Sequence, residues 1–388
     1  MNPNERPLLG APIVRILGTH GIPAAYGGFE TAAENVALHL RDHGWRPIVY
    51  CQAEGTGPIV EDVWNGIERV TIPVARDGWL GTSLFDLRSI RHATRFRDTC
   101  LTFGYNTAVF NIWQRAKGIP NVINMDGIEW SRARWGKARQ AILYANERIA
   151  CWVGDRLIAD HPEIEVYLAR KAKRSKLTTI TYGAYTVADA PTEPVLARGL
   201  VPGGYATLIC RPIPENSILE LVEAFSARPR DCRLVIVGEY RDEDPYQRAV
   251  MAAASEQVVF VGAIYDPAEL AALRFHGIAY LHGHTVGGTN PSLVEAMAAG
   301  NPVIAHDNPY NRWVAGDGAR YFDSAASAAA QLDLVLASEP LRAQMSAAVR
   351  ARHADEFTWD HVAGQYEALL YGLRPSSRHE AVGREEFA

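Results

Sequence analysis

The chain has 388 residues, a length that suits two domains of ordinary size better than one compact core. Hydrophobic residues make up 48% of it and charged residues 21%, which are values of globular proteins, so wholesale disorder is excluded. The net charge of −5 argues against a general nucleic-acid-binding protein.

The first predicted elements are a strand, a loop and a helix. Residues 13–17 form a short apolar run, a glycine-rich loop follows, and apolar residues then recur at helical spacing over 29–43. A second strand is predicted over 47–51, and this βαβ start implies a parallel sheet with helices on both faces. The same alternation predicts later strands in the first half near residues 68–73, 99–103, 121–125, 156–159 and 178–181.

The loop over residues 18–28 reads G-T-H-G-I-P-A-A-Y-G-G. Glycines let a backbone approach a ligand closely, and the helix that follows would aim free N–H groups at an anion. The pattern is not G-x-G-x-x-G, so a dinucleotide-binding fingerprint is not supported. A turn that only connects a strand to a helix does not need this composition, and we therefore interpret the loop as functional.

Two further segments of the first half carry candidate residues. Arg88, Arg91 and Arg95 are spaced to share one face of a helix predicted over 84–98, which suits either an anionic lipid surface or plain solvent. Asp126 ends a predicted strand in the stretch N-M-D-G-I-E-W and could act as a base or hold a substrate hydroxyl. The tryptophans that follow suit a sugar face or a lipid surface, and a packed loop is the alternative.

A linker is predicted over residues 185–203, which are rich in Pro, Ala and Gly. The first domain would then cover 1–190 and the second 191–355, with a cleft between them. The charge balance is +4 over 1–190 and −9 over 191–388, and every lysine lies at or before Lys176.

The second half repeats the strand–helix pattern, with strands near 205–210, 234–238, 258–262, 278–282 and 302–305. Ligands in such sheets bind at the carboxyl ends of the strands. Arg211 follows the first of these strands and could grip a diphosphate bidentately, or form a surface ion pair. Tyr265 follows the third strand.

Residues 282–302 read H-G-H-T-V-G-G-T-N-P-S-L-V-E-A-M-A-A-G-N-P and form the most informative motif. Asn290 is a good helix N-cap and Pro291 a good first helical residue, so the amides of residues 287–292 should face a sugar or phosphate. Glu295, one turn into the helix, could accept hydrogen bonds from ribose hydroxyls, or be a solvated carboxylate.

The end of the chain is predicted as a helix over 356–374 that returns to the first domain, followed by a flexible tail over 375–388. The five cysteines show no C-x-x-C pair, which indicates buried thiols in a reducing cytosol rather than disulfides or a zinc site. We see no signal peptide and no apolar run of about 18 residues that could span a membrane.

The motifs over 18–31 and 283–297, together with D-G-I-E-W and R-P-I-P-E-N, resemble retaining GT-B glycosyltransferases, and within them the bacterial rhamnosyltransferases of capsule and cell-surface polysaccharide assembly. The resemblance covers about residues 12–372. It implies an α/β GT-B fold of two Rossmann-like domains, an acceptor domain first and a donor domain second, with retention of anomeric configuration. It also implies no cofactor and no bound metal.

The resemblance assigns a role to each candidate residue. Asp126, Arg211 and Glu295 would be catalytic. Donor contacts would come from Gly27, Gly28, Arg211, Tyr265, His284, Gly287, Gly288, Thr289, Asn290, Ser292 and Glu295. Acceptor contacts would come from His20, Tyr26, Glu30, Asp126, Glu129 and Trp130.

The chain departs from the family pattern at two positions. Gly287 stands where the family has the first of two glutamates, and Asn216 stands where it often has a lysine. Because no lysine follows Lys176, Arg211 and the loop amides would have to stabilise the leaving diphosphate.

The substrates implied are a dTDP- or UDP-sugar, with dTDP-rhamnose favoured, and a lipid-linked saccharide. The protein would be cytoplasmic, with a peripheral contact to the inner membrane through the basic helix over 84–98. Three alternatives stay open: a nucleotide-sugar epimerase of the same fold, an NAD-dependent oxidoreductase and a non-catalytic sugar-nucleotide sensor.

Overall fold

The computed structural model describes residues 10–25, 27–132 and 134–373, which form two α/β units. The first unit consists of the residues up to Ile180 and those from Val362 onward. The second unit is Thr181–His361. Each unit has a largely parallel sheet whose strands alternate with helices, which confirms the predicted α/β class.

The first unit begins with the predicted βαβ pattern. Its elements are β1 (Ile13–Leu17), α1 (Gly28–Asp42), β2 (Arg46–Glu54), β3 (Val60–Trp64), β4 (Ile67–Val74), α2 (Gly78–Ala93), β5 (Thr99–Phe103), α3 (Ile112–Ala116), β6 (Asn121–Asn124), α4 (Lys137–Val153), β7 (Arg156–Ala159), α5 (Pro162–Leu168) and β8 (Leu177–Thr179). The sheet order is β3-β4-β2-β1-β5-β6-β7-β8, parallel except for β3 against β4. Buried apolar residues of β1, β2, β4, β5 and α2 share one core cluster.

Strand β3 was not predicted; it is an edge strand that pairs with β4 through a two-residue turn. Asn65 and Gly66 form that turn with φ of 45° and 76°, and both values are positive, as a type I′ hairpin requires. The dipeptide Asn-Gly is the sequence signal for such a turn, but β3 is largely exposed and Glu61 and Asp62 interrupt its apolar residues, so it lacks the apolar run that marks a buried strand.

The helix predicted over 84–98 is wrong in its bounds, because α2 ends at Ala93. Thr94 closes the helix, and its carbonyl oxygen accepts a hydrogen bond from Lys117 Nζ at 2.8 Å, which stabilises the carboxyl end of α2. Arg88 and Arg91 are exposed on α2, whereas Arg95 lies beyond it.

The second unit contains the second predicted strand–helix series. Its elements are α6 (Glu193–Ala197), β9 (Tyr205–Ile209), α7 (Ile218–Ser226), β10 (Arg233–Val237), α8 (Pro245–Ala253), β11 (Val258–Phe260), α9 (Pro267–Phe275), β12 (Ala279–His282), α10 (Pro291–Ala298), β13 (Val303–His306), α11 (Pro309–Ala315), β14 (Ala319–Phe322), α12 (Ala325–Ala337) and α13 (Glu339–Glu356). The sheet is parallel throughout, in the order β11-β10-β9-β12-β13-β14. One core cluster packs the sheet against α7, α12 and α13, and a second packs it against α10 and α11.

The last helix, α14, spans Trp359–Tyr371, and the predicted tail over 375–388 lies outside the described residues. The five cysteines are free thiols, and four of them are buried. Among the described helices, none combines the length and the apolar character needed to cross a membrane.

Candidate functional site

The strand order of the second unit reverses between β9 and β12. At such a switch point, the loops that follow two neighbouring strands run to opposite faces and leave a crevice at the carboxyl edge of the sheet, where α/β domains bind ligands. Arg211 follows β9, and the loop over 283–290 follows β12. The topology therefore places the two predicted donor motifs side by side.

A cavity of about 820 Å³ opens at the carboxyl ends of β9, β10 and β11. Two of the predicted residues, Arg211 and Tyr265, line it, and Tyr265 is 81% exposed. Several other polar residues that line the cavity were not predicted: Glu239, Arg241, Glu243, Asp244 and Gln247. A signal was present, since Asp244 and Pro245 form an N-cap and first-residue pair that starts α8 soon after β10.

Asn216 stabilises the backbone of the Arg211 loop. Its side-chain Nδ2 donates a hydrogen bond to the Arg211 carbonyl oxygen at 2.7 Å, and Asn216 is only 3% exposed. The position at which the resemblance would place a lysine thus holds a buried amide that shapes the loop. A lysine there would have to place its charge outside this buried environment.

The loop over 283–290 is hydrogen-bonded at both sides. Thr285 donates from its backbone N and from Oγ1 to the Glu215 carbonyl oxygen, at 2.9 and 3.0 Å. The side-chain amides of Asn308 and Asn311 donate to the His284 carbonyl oxygen at 3.0 and 2.9 Å. The loop conformation is therefore set before any ligand arrives, which is what electrostatic stabilisation of a leaving group requires.

Gly283 brings this loop into contact with the Arg211 loop. A β-carbon at position 283 would lie 2.0 Å from the Asn216 carbonyl oxygen, so only glycine fits. The two loops at the switch point are consequently packed against each other.

The helix after the loop starts as predicted. Asn290 is the N-cap of α10, and its Oδ1 accepts hydrogen bonds from Ser292 N at 3.3 Å and Ser292 Oγ at 3.0 Å. Pro291 is the first helical residue. The positive end of the α10 dipole therefore lies at the switch point, where it favours an anion.

Gly287 has φ of +127°, a region that side-chain-bearing residues rarely adopt. Its missing β-carbon would have nothing within 4 Å, so the position is open. Gly288 is half-buried and Thr289 is buried. At the position where the family pattern has a glutamate, this chain therefore exposes backbone atoms of Gly287 and no carboxylate.

His284 stacks on His282, with ring centroids 4.4 Å apart and 11° between the planes. His282 is fully buried, and this burial, helped by His284 and His306, holds the pKa of His282 well below its usual value. A neutral ring thus supports His284 from beneath.

Glu295 forms an ion pair that the sequence could not show. Its Oε2 lies 2.5 Å from Nη2 of Arg274 on α9, whose side chain is only 6% exposed. Glu295 therefore balances a buried cation, while about a third of its own side chain stays exposed. The predicted ribose contact stays a prediction.

In the first unit, two carboxylates of α1 hold the predicted 18–28 loop. Glu30 Oε1 accepts a hydrogen bond from His20 N at 2.8 Å, and Glu34 Oε2 accepts one from Ala24 N at 2.6 Å. Glu30 is buried, and its Oε1 holds the backbone of this loop at His20.

Glycines bring the 18–28 loop close to neighbouring backbone. A β-carbon on Gly18, whose φ is +83°, would lie 2.2 Å from the Phe103 carbonyl oxygen. Gly27 is exposed and is the N-cap of α1, which begins at Gly28. Tyr26 lies outside the described residues.

A second cavity, of about 560 Å³, lies between this loop and strands β2, β3 and β4. His20 and Glu30 line it, as do the missed polar residues Gln52, Asp62, Arg69 and Thr71. Arg69 donates two hydrogen bonds to Asp62, both of 2.7 Å, and one to the Ile22 carbonyl oxygen at 3.0 Å. A pocket with fixed charged and amide groups suits a ligand with many hydroxyls.

Asp126 follows β6 and adopts a left-handed backbone with φ of 53°. Such a conformation is uncommon outside glycine and is concentrated at functional sites. Burial raises the pKa of Asp126, and the nearby Glu129 adds to the increase, while Arg132 opposes it. A carboxylate with a raised pKa is a candidate for proton transfer or for holding a hydroxyl.

Glu129 is occupied by neighbours within its own segment. Arg132 Nε lies 2.6 Å from its Oε2, Trp135 Nε1 lies 2.8 Å from its Oε1, and Arg134 also pairs with it. Trp130 is likewise held, because its Nε1 donates to Glu147 Oε2 at 3.0 Å. These residues follow β6, two strands from β1, and do not line the 560 Å³ cavity.

Two family models match the chain. Residues 12–185 match a model described as "Domain of unknown function (DUF1972)". Residues 209–352 match the model "Glycosyl transferases group 1", which spans the switch-point loops of the second unit. No curated protein matches significantly.

Solved structures share the fold over nearly the whole chain. Sucrose-phosphate synthase from Thermosynechococcus elongatus is 18% identical with a TM-score of 0.78, and the match covers 93% of this chain and 99% of that one. HepE from Anabaena, solved with UDP and glucose, is 16% identical with a TM-score of 0.73, and covers 94% and 100%. Trehalose-6-phosphate synthase from E. coli, bound with UDP-2-fluoro glucose, is 11% identical with a TM-score of 0.70, and covers 94% and 100%. The GT-B fold that the sequence motifs predict is confirmed, and so is the glycosyltransferase class at the level of the matched second-half domain.

Proposed function

We propose that this GT-B protein transfers a sugar with retention of configuration from a nucleotide-diphosphate donor, best dTDP-L-rhamnose, to a lipid-linked saccharide of bacterial surface polysaccharide synthesis. One observation carries the proposal. Arg211, the hydrogen-bonded loop over 283–290 and the start of α10 meet at the switch point of the second sheet, beside a cavity of about 820 Å³. A cation, oriented amides and a helix dipole beside a cavity of this size suit a nucleoside diphosphate.

The bond that breaks joins the anomeric carbon to the diphosphate oxygen, and negative charge grows on the diphosphate as it leaves. Arg211 supplies positive charge, and the backbone N–H groups over 287–290, ahead of Pro291, supply hydrogen-bond donors. Because no lysine follows Lys176, an arginine has to supply this charge, and we propose Arg211, which comes directly after β9 at the switch point. We propose that the leaving diphosphate requires no divalent ion.

Donor choice follows from Gly287 and the cavity. Without a carboxylate at residue 287, the loop offers backbone groups rather than an acceptor for several sugar hydroxyls. A 6-deoxy sugar has fewer hydroxyls to satisfy, which supports rhamnose as the donor sugar. HepE and trehalose-6-phosphate synthase were solved with UDP or a UDP-sugar, so UDP-sugars belong among the donors tested.

The acceptor saccharide would bind in the first unit. The 560 Å³ cavity presents Arg69, Asp62, Gln52 and Glu30 to its hydroxyls. Asp126 follows β6 and does not line that cavity; with its raised pKa and left-handed backbone, it would hold the reacting hydroxyl or take its proton.

A lipid-linked acceptor requires access to a bilayer surface. Arg88 and Arg91 are exposed on α2, and Trp79 and Leu80 at its first turn are 40% and 57% exposed. Exposed apolar residues on a basic helix suit the interface of an anionic membrane. We therefore propose a peripheral contact through α2.

Thermal shift against dTDP-, UDP- and GDP-sugars tests donor binding, because a ligand that binds the folded state raises its melting temperature by mass action. We expect the largest shift with dTDP-rhamnose and a loss of that shift in Arg211→Ala. No shift with any nucleotide sugar would contradict the proposal. Incubating the bound donor without acceptor separates transfer from epimerisation, because an epimerase changes the donor alone.

A further inference from the structure

Two histidines and a glutamate meet in the first unit, and none of the three lines either cavity described above. His39 and His43 lie one turn apart near the end of α1, and Glu367 lies on α14. Glu367 Oε2 lies 3.0 Å from His39 Nε2 and 2.7 Å from His43 Nδ1. Histidines at i and i+4 project from the same face of a helix, so both rings point at one oxygen.

The carboxylate is oriented from its other side. Trp45 Nε1 donates to Glu367 Oε1 at 3.0 Å, which leaves Oε2 facing the two rings. A partner that orients a metal-ligating side chain is the usual surrounding of a metal site.

The geometry suits a small divalent cation. The three candidate ligand atoms all lie within 4.8 Å of one another. A tetrahedral Zn²⁺ with bonds of about 2.0–2.1 Å separates its ligand atoms by about 3.3 Å, so the observed 2.7 and 3.0 Å need to widen by only about 0.3–0.6 Å. His43 and Glu367 keep 49% and 25% of their side chains exposed, which lets them move and admits a water as fourth ligand.

We propose that His39, His43 and Glu367 form a Zn²⁺ site that fastens α14 to α1. A ligand set of two imidazole nitrogens and one carboxylate binds Zn²⁺ in preference to Mg²⁺ or Ca²⁺. The role is structural: the ion ties the last described helix of the first unit to the first helix. His39 lies about 16 Å along α1 from Gly28, so the ion takes no part in sugar transfer, and the proposal stands independently of the function proposed above.

The test uses the full-length protein dialysed against EDTA and titrated with Zn²⁺ by calorimetry, with melting temperature measured in parallel. We expect one ion per chain and a higher melting temperature with Zn²⁺. His43→Gln and Glu367→Gln should each weaken Zn²⁺ binding by at least about tenfold. Substituting Co²⁺ gives a second readout, because a tetrahedral site produces intense visible absorption and the variants should lack it.

Asp42→Asn is the matched control, because Asp42 lies between the two histidines in sequence and is 63% exposed in its side chain. It removes a neighbouring carboxylate and should leave Zn²⁺ binding unchanged. Each variant is also melted in EDTA, so a folding defect is distinguished from loss of a ligand. The proposal is overturned if wild-type protein takes up no stoichiometric Zn²⁺, or if His43→Gln and Glu367→Gln bind it as tightly as wild type.

Discussion

Arg211 is the residue on which the proposed chemistry depends most. It is exposed, it lines the 820 Å³ cavity, and its carbonyl oxygen is held by Asn216. An exposed arginine contributes little to folding, so its substitution should change catalysis and leave stability nearly unaffected.

We predict that Arg211→Ala lowers kcat/KM for transfer by at least about tenfold, because a charge that stabilises the leaving diphosphate is lost. Arg211→Lys should retain part of the activity, since it keeps the charge without the bidentate fork. Arg320→Ala, an exposed arginine on β14 of the same unit, is the control and should match wild type. Wild-type turnover in Arg211→Ala would remove this residue from the site.

Gly287 tests whether the missing glutamate can simply be restored. At φ of +127° a side chain strains the backbone, so we predict that Gly287→Glu lowers donor affinity about tenfold and does not create activity with UDP-glucose. Gly287→Ala separates strain from charge, and it should show most of the loss. A gain of UDP-glucose activity in Gly287→Glu would show that the position tolerates the family carboxylate.

At the level of elements, the glycine-rich loops and the start of α10 were predictable because their signals are local. An N-cap asparagine, a first-residue proline and clustered glycines each act within a few residues. The pairing of Glu295 with Arg274 was not predictable, because it joins α10 to α9 across 21 positions. The bond from Asn216 to the Arg211 carbonyl was also missed, since the spacing alone does not show that the side chain turns inward.

The switch-point loops should lose their arrangement together. Gly283→Ala places a β-carbon 2.0 Å from the Asn216 carbonyl oxygen, so both loops must shift. We predict a lower melting temperature and at least about tenfold weaker donor binding. Gly364→Ala in α14 has nothing within 4 Å of the new β-carbon, and it should raise stability by about 0.5–1 kcal/mol without changing transfer. Unchanged donor binding in Gly283→Ala would refute the coupling of the loops.

The helix α2 carries the proposed membrane contact. Reversing charge in the double variant Arg88→Glu, Arg91→Glu should weaken co-sedimentation with anionic vesicles by at least about tenfold, since each basic residue near the surface contributes about 1 kcal/mol. The double variant Arg233→Glu, Arg320→Glu changes net charge equally with exposed arginines of the second unit. Equal binding by both double variants would mean that α2 has no particular role.

For the whole molecule, two parallel sheets could be predicted from the alternation of strands and helices. Parallel strands are buried on both faces, so each one is visible in the sequence as a run of apolar residues. The edge strand β3 was not predicted because it is exposed and Glu61 and Asp62 interrupt its apolar residues. The residues that line the cavities were not predicted for a different reason. Gln52 and Arg69, for example, lie on separate strands that only the folded sheet brings together.

The proposed chemistry requires that arginine and backbone amides stabilise the nucleoside diphosphate as it leaves. The most direct measurement is acceptor-dependent release of dTDP from dTDP-rhamnose in EDTA, with a lipid-diphosphate saccharide as acceptor, for wild type and Arg211→Ala. We predict that wild-type release persists in EDTA, requires acceptor, and falls at least about tenfold in Arg211→Ala. Release that stops in EDTA and returns with Mg²⁺, or that is unchanged in Arg211→Ala, would contradict it.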